Sequence, residues 1–447
     1  MIRYVKYTLQ YSIFSIRYSI FKRQILWIIS GWVFMLCFQS CNTKVQTHYC
    51  TSADIIQLPS EYDEKVVKSR FRSAARACRD ALAYAPDTNY IEHRPMRYIR
   101  VNVHFVNSSD SSKNFIGKEA LNYAKNIINN VNQDLSKNAK MHLPIGNNTP
   151  VLPTQYRLKL TRRTGTEHDT GVYCHFDDEL CYYVHKGKNR NLHKQDVIKK
   201  YGIQLDSVLN VFVMPHHPDS LASKTYAGGG VGVALGTNVK MAGMYESGNP
   251  FWHYRQILSH EVGHVFGLQH SWLNDGCEDT PKHPNCWNRS KNGSACDSLA
   301  SNNLMDYNAW QLALTPCQIG RIHRMISTLN SRPRKLVIPT WCDYDAEKSI
   351  TIQDSIHWKG AVDMEGDLLI AAGGTLQISC RLSLPKGAKI TIAPGGKLIL
   401  KNAHLHNACG DQWKGIEIQE QKKEKGEVVM IGEVKLEDME EVITDNS

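Results

Sequence analysis

His260-Glu261-Val262-Gly263-His264-Val265-Phe266-Gly267-Leu268-Gln269-His270 is the stretch on which the reading of this chain turns. Positions i and i+4 share a face on a helix, so His260 and His264 can aim both imidazoles at one ion. Glu261 stands beside them, within reach of a water on that ion. Gly267 can adopt the left-handed conformation that ends a helix, and the chain then turns back to bring His270 round as third ligand. Three neutral imidazoles leave a fourth position open, the ligand set of a catalytic zinc rather than a closed structural one. The chemistry expected there is simple: zinc lowers the pKa of its water toward about 7, Glu261 takes the proton, and the hydroxide attacks a peptide carbonyl.

Working outward, the pattern predicts a helix over 252–267 and another over 316–329, with Ile319, Ile322, Ile326 and Leu329 on one face. Upstream, Ile99, Val101, Val103 and Phe105 alternate with Arg100, Asn102 and His104, the mark of a strand with one buried face. A helix follows, with Ala120, Leu121, Ala124, Ile127, Ile128, Val131 and Leu135 at helical spacing. Strands are expected at 156–160 and 208–214, and the glycine-rich 228–236 as a strand or loop of close backbone approach. These elements make an α/β (α+β) domain over 97–330, a twisted mixed sheet with an active-site helix. His104 reads as a satisfied structural histidine, His253 as a capping or surface group, and His216-His217, between prolines, as a solvated loop.

The eleven-residue motif, followed by Asn303-Leu304-Met305-Asp306-Tyr307, resembles the metzincin zinc peptidases, in which a Met-turn lies beneath the metal. Together with Gly276-Cys277, Asp279-Thr280-Pro281 and Leu314-Thr315-Pro316-Cys317-Gln318, it is similar to the pappalysin family, including ulilysin-like and cytophagalysin-like enzymes. The match spans roughly 97–330 and is densest over 252–325. The resemblance implies one catalytic Zn2+, Met305 as hydrophobic floor, Tyr307 as the phenol that stabilises the tetrahedral intermediate, and 228–236 as the rim strand that pairs with an extended peptide. Two departures stand out. The stretch between Cys277 and Asp279 is shorter than in calcium-binding relatives, which weakens the case for a structural Ca2+, and the family's cysteine soon after the Met-turn is replaced by the more distant Cys317. Bridges Cys277 to Cys296 and Cys286 to Cys317 are the pairings this suggests.

Beyond the linker 331–348 the texture changes. Gly366-Asp367-Leu368-Leu369-Ile370-Ala371-Ala372-Gly373-Gly374-Thr375-Leu376 returns approximately as 387–398, with short β runs and glycine corners, so 349–447 reads as a β-solenoid; a small β-sandwich with two similar hairpins is the alternative.

At the other end, Lys22 and Arg23 precede an apolar run over 25–38, too short for a comfortable membrane span and flanked like a secretory h-region. Its end, Phe38-Gln39-Ser40-Cys41, resembles the lipobox of bacterial lipoproteins; an ordinary signal peptide or an uncleaved anchor are the other readings. Residues 1–40 are thus expected as a signal, Cys41 as the lipidated residue that holds the chain at a membrane, and 41–96, which makes no convincing core, as propeptide or linker with a short helical stretch near 65–83. An exported chain with thirteen cysteines points to disulfides. With Cys37 and Cys41 set aside, eleven thiols remain, so at least one is unpaired. Cys78, in Arg76-Ala77-Cys78-Arg79, is the candidate free thiol and zinc latch, or else a partner of Cys50; Cys174 and Cys181 form a local bridge or are two buried thiols.

The net charge of +10 falls to +5 (48 basic against 43 acidic residues) without the first forty residues and gathers into no basic face, which argues against a nucleic-acid partner. The sequence therefore predicts an exported, surface-anchored zinc endopeptidase acting on proteins or peptides, or else a vestigial peptidase domain on a lipoprotein used for adhesion. It carries no signal for oligomeric state.

Overall fold

The computed structural model describes residues 45–58, 78–109, 113–184, 192–224, 226, 228–282, 301–307 and 311–440. The expected signal segment with Cys41, and both Cys286 and Cys296, lie outside these residues.

Two short strands, β1 (Gln46–Tyr49) and β2 (Ile55–Leu58), come first. The catalytic-type domain follows in the order β3 (Arg97–Asn107), α1 (Gly117–Lys137), β4 (Tyr156–Leu160), β5 (Val172–Phe176), α2 (Asp196–Tyr201), β6 (Leu209–Met214), α3 (Pro218–Leu221), β7 (Val231–Leu235), β8 (Asn238–Ala242), α4 (Arg255–Val265), α5 (Pro316–Ser327) and α6 (Arg332–Lys335). Its sheet runs β4-β3-β6-β8-β7, with β5 on the second half of β3. All pairs are parallel except β7 with β8, so the sheet is mixed and β7 is an antiparallel edge. On α1 the apolar stripe Ala120, Ala124, Ile127, Ile128, Val131 and Leu135 is buried against the sheet, each larger side chain contributing roughly 1.5–3 kcal/mol. Pro316 at the first position and a reciprocal cap between Thr315 and Gln318 start α5.

The expectation of a one-faced β3 holds only near its start. Asn102 and His104 are fully buried, because β3 is central and a second apolar layer of Val106, Cys181, Tyr183 and Phe212 covers its other face. His104 is satisfied as foreseen, with Nε2 2.9 Å from Asn210 Oδ1 and Nδ1 3.0 Å from His175 Nε2.

The C-terminal strands form a parallel β-solenoid. Leu368 pairs with Ile350 and Ile390, and Leu376 with Ile356 and Leu398, every one in parallel register. Stacked hairpins would pair antiparallel, which rules out the sandwich. Leu368, Ile370, Leu376, Ile378, Ile390, Ile392, Leu398 and Leu400 stack inward as rows of like residues. Within the 41–96 stretch, the described residues 45–58 borrow the solenoid's core: β1 pairs antiparallel with the solenoid strand Gly415–Gln421, and β2 parallel with Glu427–Ile431, so both act as an end rung.

Among the described residues, three disulfides correct the expected cysteine map. Cys78 bonds Cys380 of the solenoid and is not free. The segment around it is wedged between domains, where Arg94 donates to the Ala361 and Ala83 carbonyls at 2.6 and 2.8 Å; of the helical stretch expected there, the described part is a single 3-10 turn, Leu82–Tyr84. Cys277 bonds Cys317, which overturns both pairings suggested for these residues: the start of α5 lies on the Gly276-Cys277 turn, and Asp279 accepts from the Cys317 N–H at 3.0 Å. Cys342 bonds Cys409. Cys174 and Cys181 are free thiols, the first exposed on β5 and the second buried after a turn closed on Asp177, so they face different surroundings. Cys50 is also free, which removes its pairing with Cys78.

The 331–348 stretch packs rather than spans. Leu336, Val337 and Trp341 are buried in the catalytic-type core, and Arg334 lies over the Trp341 ring at 4.1 Å. Asp363 accepts from Arg334 at 2.7 Å and from Arg381 at 2.6 Å, and Arg97 pairs with Glu365, all buried in the joint between domains.

Candidate metal centre

Helix α4 is buried from Leu258 to Gly263, and His260 and His264, one turn apart, share one face. An ion pair from Arg255 to Asp134 at 2.6 Å ties its first turn to α1. The helix stops after Val265, and Gly267 has φ +83°, the left-handed turn expected of it. The chain then doubles back through His270, and its next turn is stitched to the Met-turn: Ser271 N–H donates to Met305 O at 3.0 Å and its hydroxyl to Asp306 Oδ2 at 3.0 Å.

The result is a triangle of imidazoles. Nε2 of His264 lies 3.1 Å from that of His260 and 3.0 Å from that of His270, and the third side is 3.2 Å. His260 Nδ1 donates to Leu304 O at 2.7 Å and His264 Nδ1 to Leu268 O at 2.9 Å, which fixes the tautomer and turns each Nε2 lone pair inward. Burial, reinforced by neighbouring histidines, lowers His260 to about 3 and His270 to about 4, and burial by itself lowers His264, so all three are neutral near pH 7. Lone pairs converging this closely repel unless a cation lies among them. The donor set suits zinc: the triangle's centre is about 1.8 Å from each nitrogen, just under the ~2.0–2.1 Å zinc–nitrogen bond, so the ion keeps one face clear. Among the described residues the only other such donor cluster is Cys277, Asp279 and Cys317, whose sulfurs are bonded to each other.

Glu261 sits between the triangle and the edge strand. It is 6% exposed and accepts a hydrogen bond from Ala234 N–H on β7, while burial pushes its carboxyl up to about 7. A β-carbon on Gly232, next but one along β7, would stand 2.7 Å from Glu261 Cγ and 2.8 Å from Ile257 Cγ2, so only glycine lets the strand lie this close. Beneath the helix Met305 is fully buried, and a side chain at Gly263 would meet its sulfur at 2.6 Å. Tyr307 is part-exposed, its ring centroid 5.4 Å from His260 and 4.9 Å from His270; burial and the Glu261 carboxylate raise its phenol to about 12, which keeps it a proton donor.

Every residue singled out for the metal and its chemistry, His260, Glu261, His264, His270, Met305 and Tyr307, thus meets at one place. Cys78 does not; it is in the joint with the solenoid. His216 departs from its reading as a solvated residue: it is 2% exposed, bonded to Tyr226 OH at 2.7 Å and Gly229 O at 3.0 Å, and so pins the rim segment before β7. Gly232 and Ala234 fall within the glycine-rich 228–236 read as a rim segment of close approach, though neither was singled out there, and Trp272, which stacks on His270, escaped the sequence reading.

No protein-family model and no curated protein matches this chain. Among solved structures, mature mirolysin of Tannerella forsythia in complex with a cleaved peptide is 17% identical, covering 54% of this chain and 96% of that one, with a TM-score of 0.38. Mirolysin in complex with a small compound is 18% identical over 54% of this chain and 96% of that one, TM-score 0.33, and a T. forsythia promirolysin mutant is 16% identical over 61% and 94%, TM-score 0.39.

Proposed function

We propose that this chain is a zinc-dependent endopeptidase of the metzincin type, within or close to the pappalysin family. The observation that carries the reading is the convergence of three Nε2 atoms within 3.2 Å, each on a neutral imidazole, beside a buried carboxyl that is not one of them. A structural zinc needs no such carboxyl.

His260, His264 and His270 would hold the ion, which supplies Lewis-acid polarisation of a water and of the peptide carbonyl. The extended substrate adds as a further strand to the free edge of β7, above Glu261, and the bare Gly232 keeps that approach open. Glu261 accepts the proton of the attacking water and passes it to the amine that leaves; its hydrogen bond from Ala234 N–H holds the carboxyl at the rim throughout. Tyr307 donates its phenolic proton in a hydrogen bond to the oxygen on which charge builds. Met305 gives the ligands a rigid apolar floor.

Zinc analysis of the mature chain, together with digestion of an unfolded protein substrate, tests this. Zinc near one per chain with chelator-sensitive digestion supports it; bound zinc without digestion turns the reading to a vestigial domain used for adhesion. We further propose that the chain is exported and held at a membrane by lipid on Cys41. Detergent-phase partitioning of the parent and of Cys41→Ser decides that part, and equal membrane association of the two removes the anchor.

A further inference from the structure

His260 and His264 are oriented by carbonyls, but no hydrogen bond to His270 Nδ1 is found among the described residues. What the third imidazole has instead is an indole. Trp272 lies flat on it, ring centroids 4.2 Å apart and planes at 17°. The same indole meets the Tyr307 ring at 4.7 Å and 60°, and Tyr307 in turn meets His270 at 4.9 Å and 63°, so the three rings brace one another.

Geometry explains why position 272 can do this. His270 and Trp272 flank Ser271, whose N–H and hydroxyl both hold the Met-turn, and Leu273 N–H closes the turn on His270 O at 3.0 Å. Pinned at Ser271, the turn folds the side chains of 270 and 272 onto each other. An imidazole left without a hydrogen-bonded partner on its far nitrogen is free to swing about χ2, and a swing of that kind takes Nε2 out of the triangle.

We propose that Trp272 is a positioning residue of the metal centre: its stacked face replaces the missing carbonyl partner of His270, and its edge holds the Tyr307 ring beside the metal. The inference rests on the zinc reading above. It differs from simple core filling, because Trp272 is only half-buried and the requirement is for a flat aromatic face rather than for volume.

The test uses the full chain and three variants, Trp272→Ala, Trp272→Leu and Trp272→Phe. Zinc affinity is measured by chelator competition, and the metal-free fold by thermal melting. The expected result is a zinc Kd raised roughly 10- to 100-fold in Trp272→Ala and Trp272→Leu, with the metal-free melting temperature unchanged and most of the affinity restored in Trp272→Phe, the usual weight of an orienting partner. Cobalt added in place of zinc should quench a component of tryptophan emission in the parent that is missing in Trp272→Phe. Leu binding zinc as tightly as the parent overturns the proposal, because leucine fills the space without a π face. Should Trp272→Ala fail to fold, the Leu and Phe variants decide alone. A parent that binds no zinc overturns the zinc reading and this one together, whereas a zinc-binding parent matched by all three variants overturns this one only.

Discussion

Gly232 faces Glu261 across a gap that admits no side chain: a β-carbon on the glycine would lie 2.7 Å from Glu261 Cγ and 3.0 Å from Oε1. The edge strand and the carboxyl are therefore set by one contact, and Gly232→Ala must displace one or the other. Digestion should fall by at least tenfold while zinc remains near one per chain, because the three atoms nearest that β-carbon belong to Glu261 and Ile257 and none to an imidazole. Parallel kinetics and metal analysis check it; an alanine variant with parental kcat/KM would mean the strand yields without consequence.

The chemistry separates by residue. Glu261→Gln keeps shape and polarity but removes the base, so zinc should stay and hydrolysis should drop by on the order of 10² to 10⁴. His264→Ala should lose the metal, since two imidazoles bind zinc far more weakly. Tyr307→Phe should keep zinc and lose less activity than Glu261→Gln, one hydrogen bond to developing charge being removed. Parental digestion rates in Glu261→Gln would sink the mechanism.

At the joint, Asp363 is the shared acceptor of Arg334 and Arg381, with 1% of its side chain exposed. Burial alone would raise its pKa, but Arg381 and Arg334 outweigh it and hold the carboxyl well below the usual range. Asp363→Ala leaves two guanidinium groups without their counter-charge and should destabilise the chain by about 3–5 kcal/mol. Urea unfolding measures this, and a change under about 1 kcal/mol would show that water reaches the arginines.

Acid should begin to loosen the fold above the range in which ordinary carboxylates titrate. His323, buried on α5 with Nε2 2.8 Å from Thr154 O, has its pKa lowered by burial from 6.5 to about 4. The unfolded chain then binds the proton more tightly than the folded one. This contribution is constant above pH 6.5, is lost as pH falls toward about 4, and amounts to roughly 3 kcal/mol. Unfolding midpoints from pH 7.5 to 4.5 should decline, and His323→Gln should flatten the slope; an unchanged slope would refute the assignment.

Thiol mapping of the unreduced protein should find peptides joined through Cys78–Cys380, Cys277–Cys317 and Cys342–Cys409, with Cys174 alkylated quickly and the buried Cys181 slowly. A Cys78 that reacts without reduction would return it to the role of free thiol.

The local order of the chain decided most of the site. Ligand spacing and the helix stop at Gly267 are short-range facts of helix periodicity and glycine stereochemistry, so His260, Glu261, His264 and His270 could be read in a line, whereas Met305 and Tyr307 entered through the resemblance of 303–307 to a Met-turn. The solenoid was visible where two coils keep the same offset, Leu368 to Ile390 and Leu376 to Leu398; the other coils differ in length and left no such repeat. Tertiary structure alone decided what depends on distant segments meeting. That Cys78 reaches Cys380, that β1 and β2 finish a solenoid built from the far end of the chain, and that Asp363 serves two arginines are outcomes of packing between surfaces separated by up to hundreds of residues. Periodicity reports which face of an element is apolar; it carries no information about which other element will cover that face.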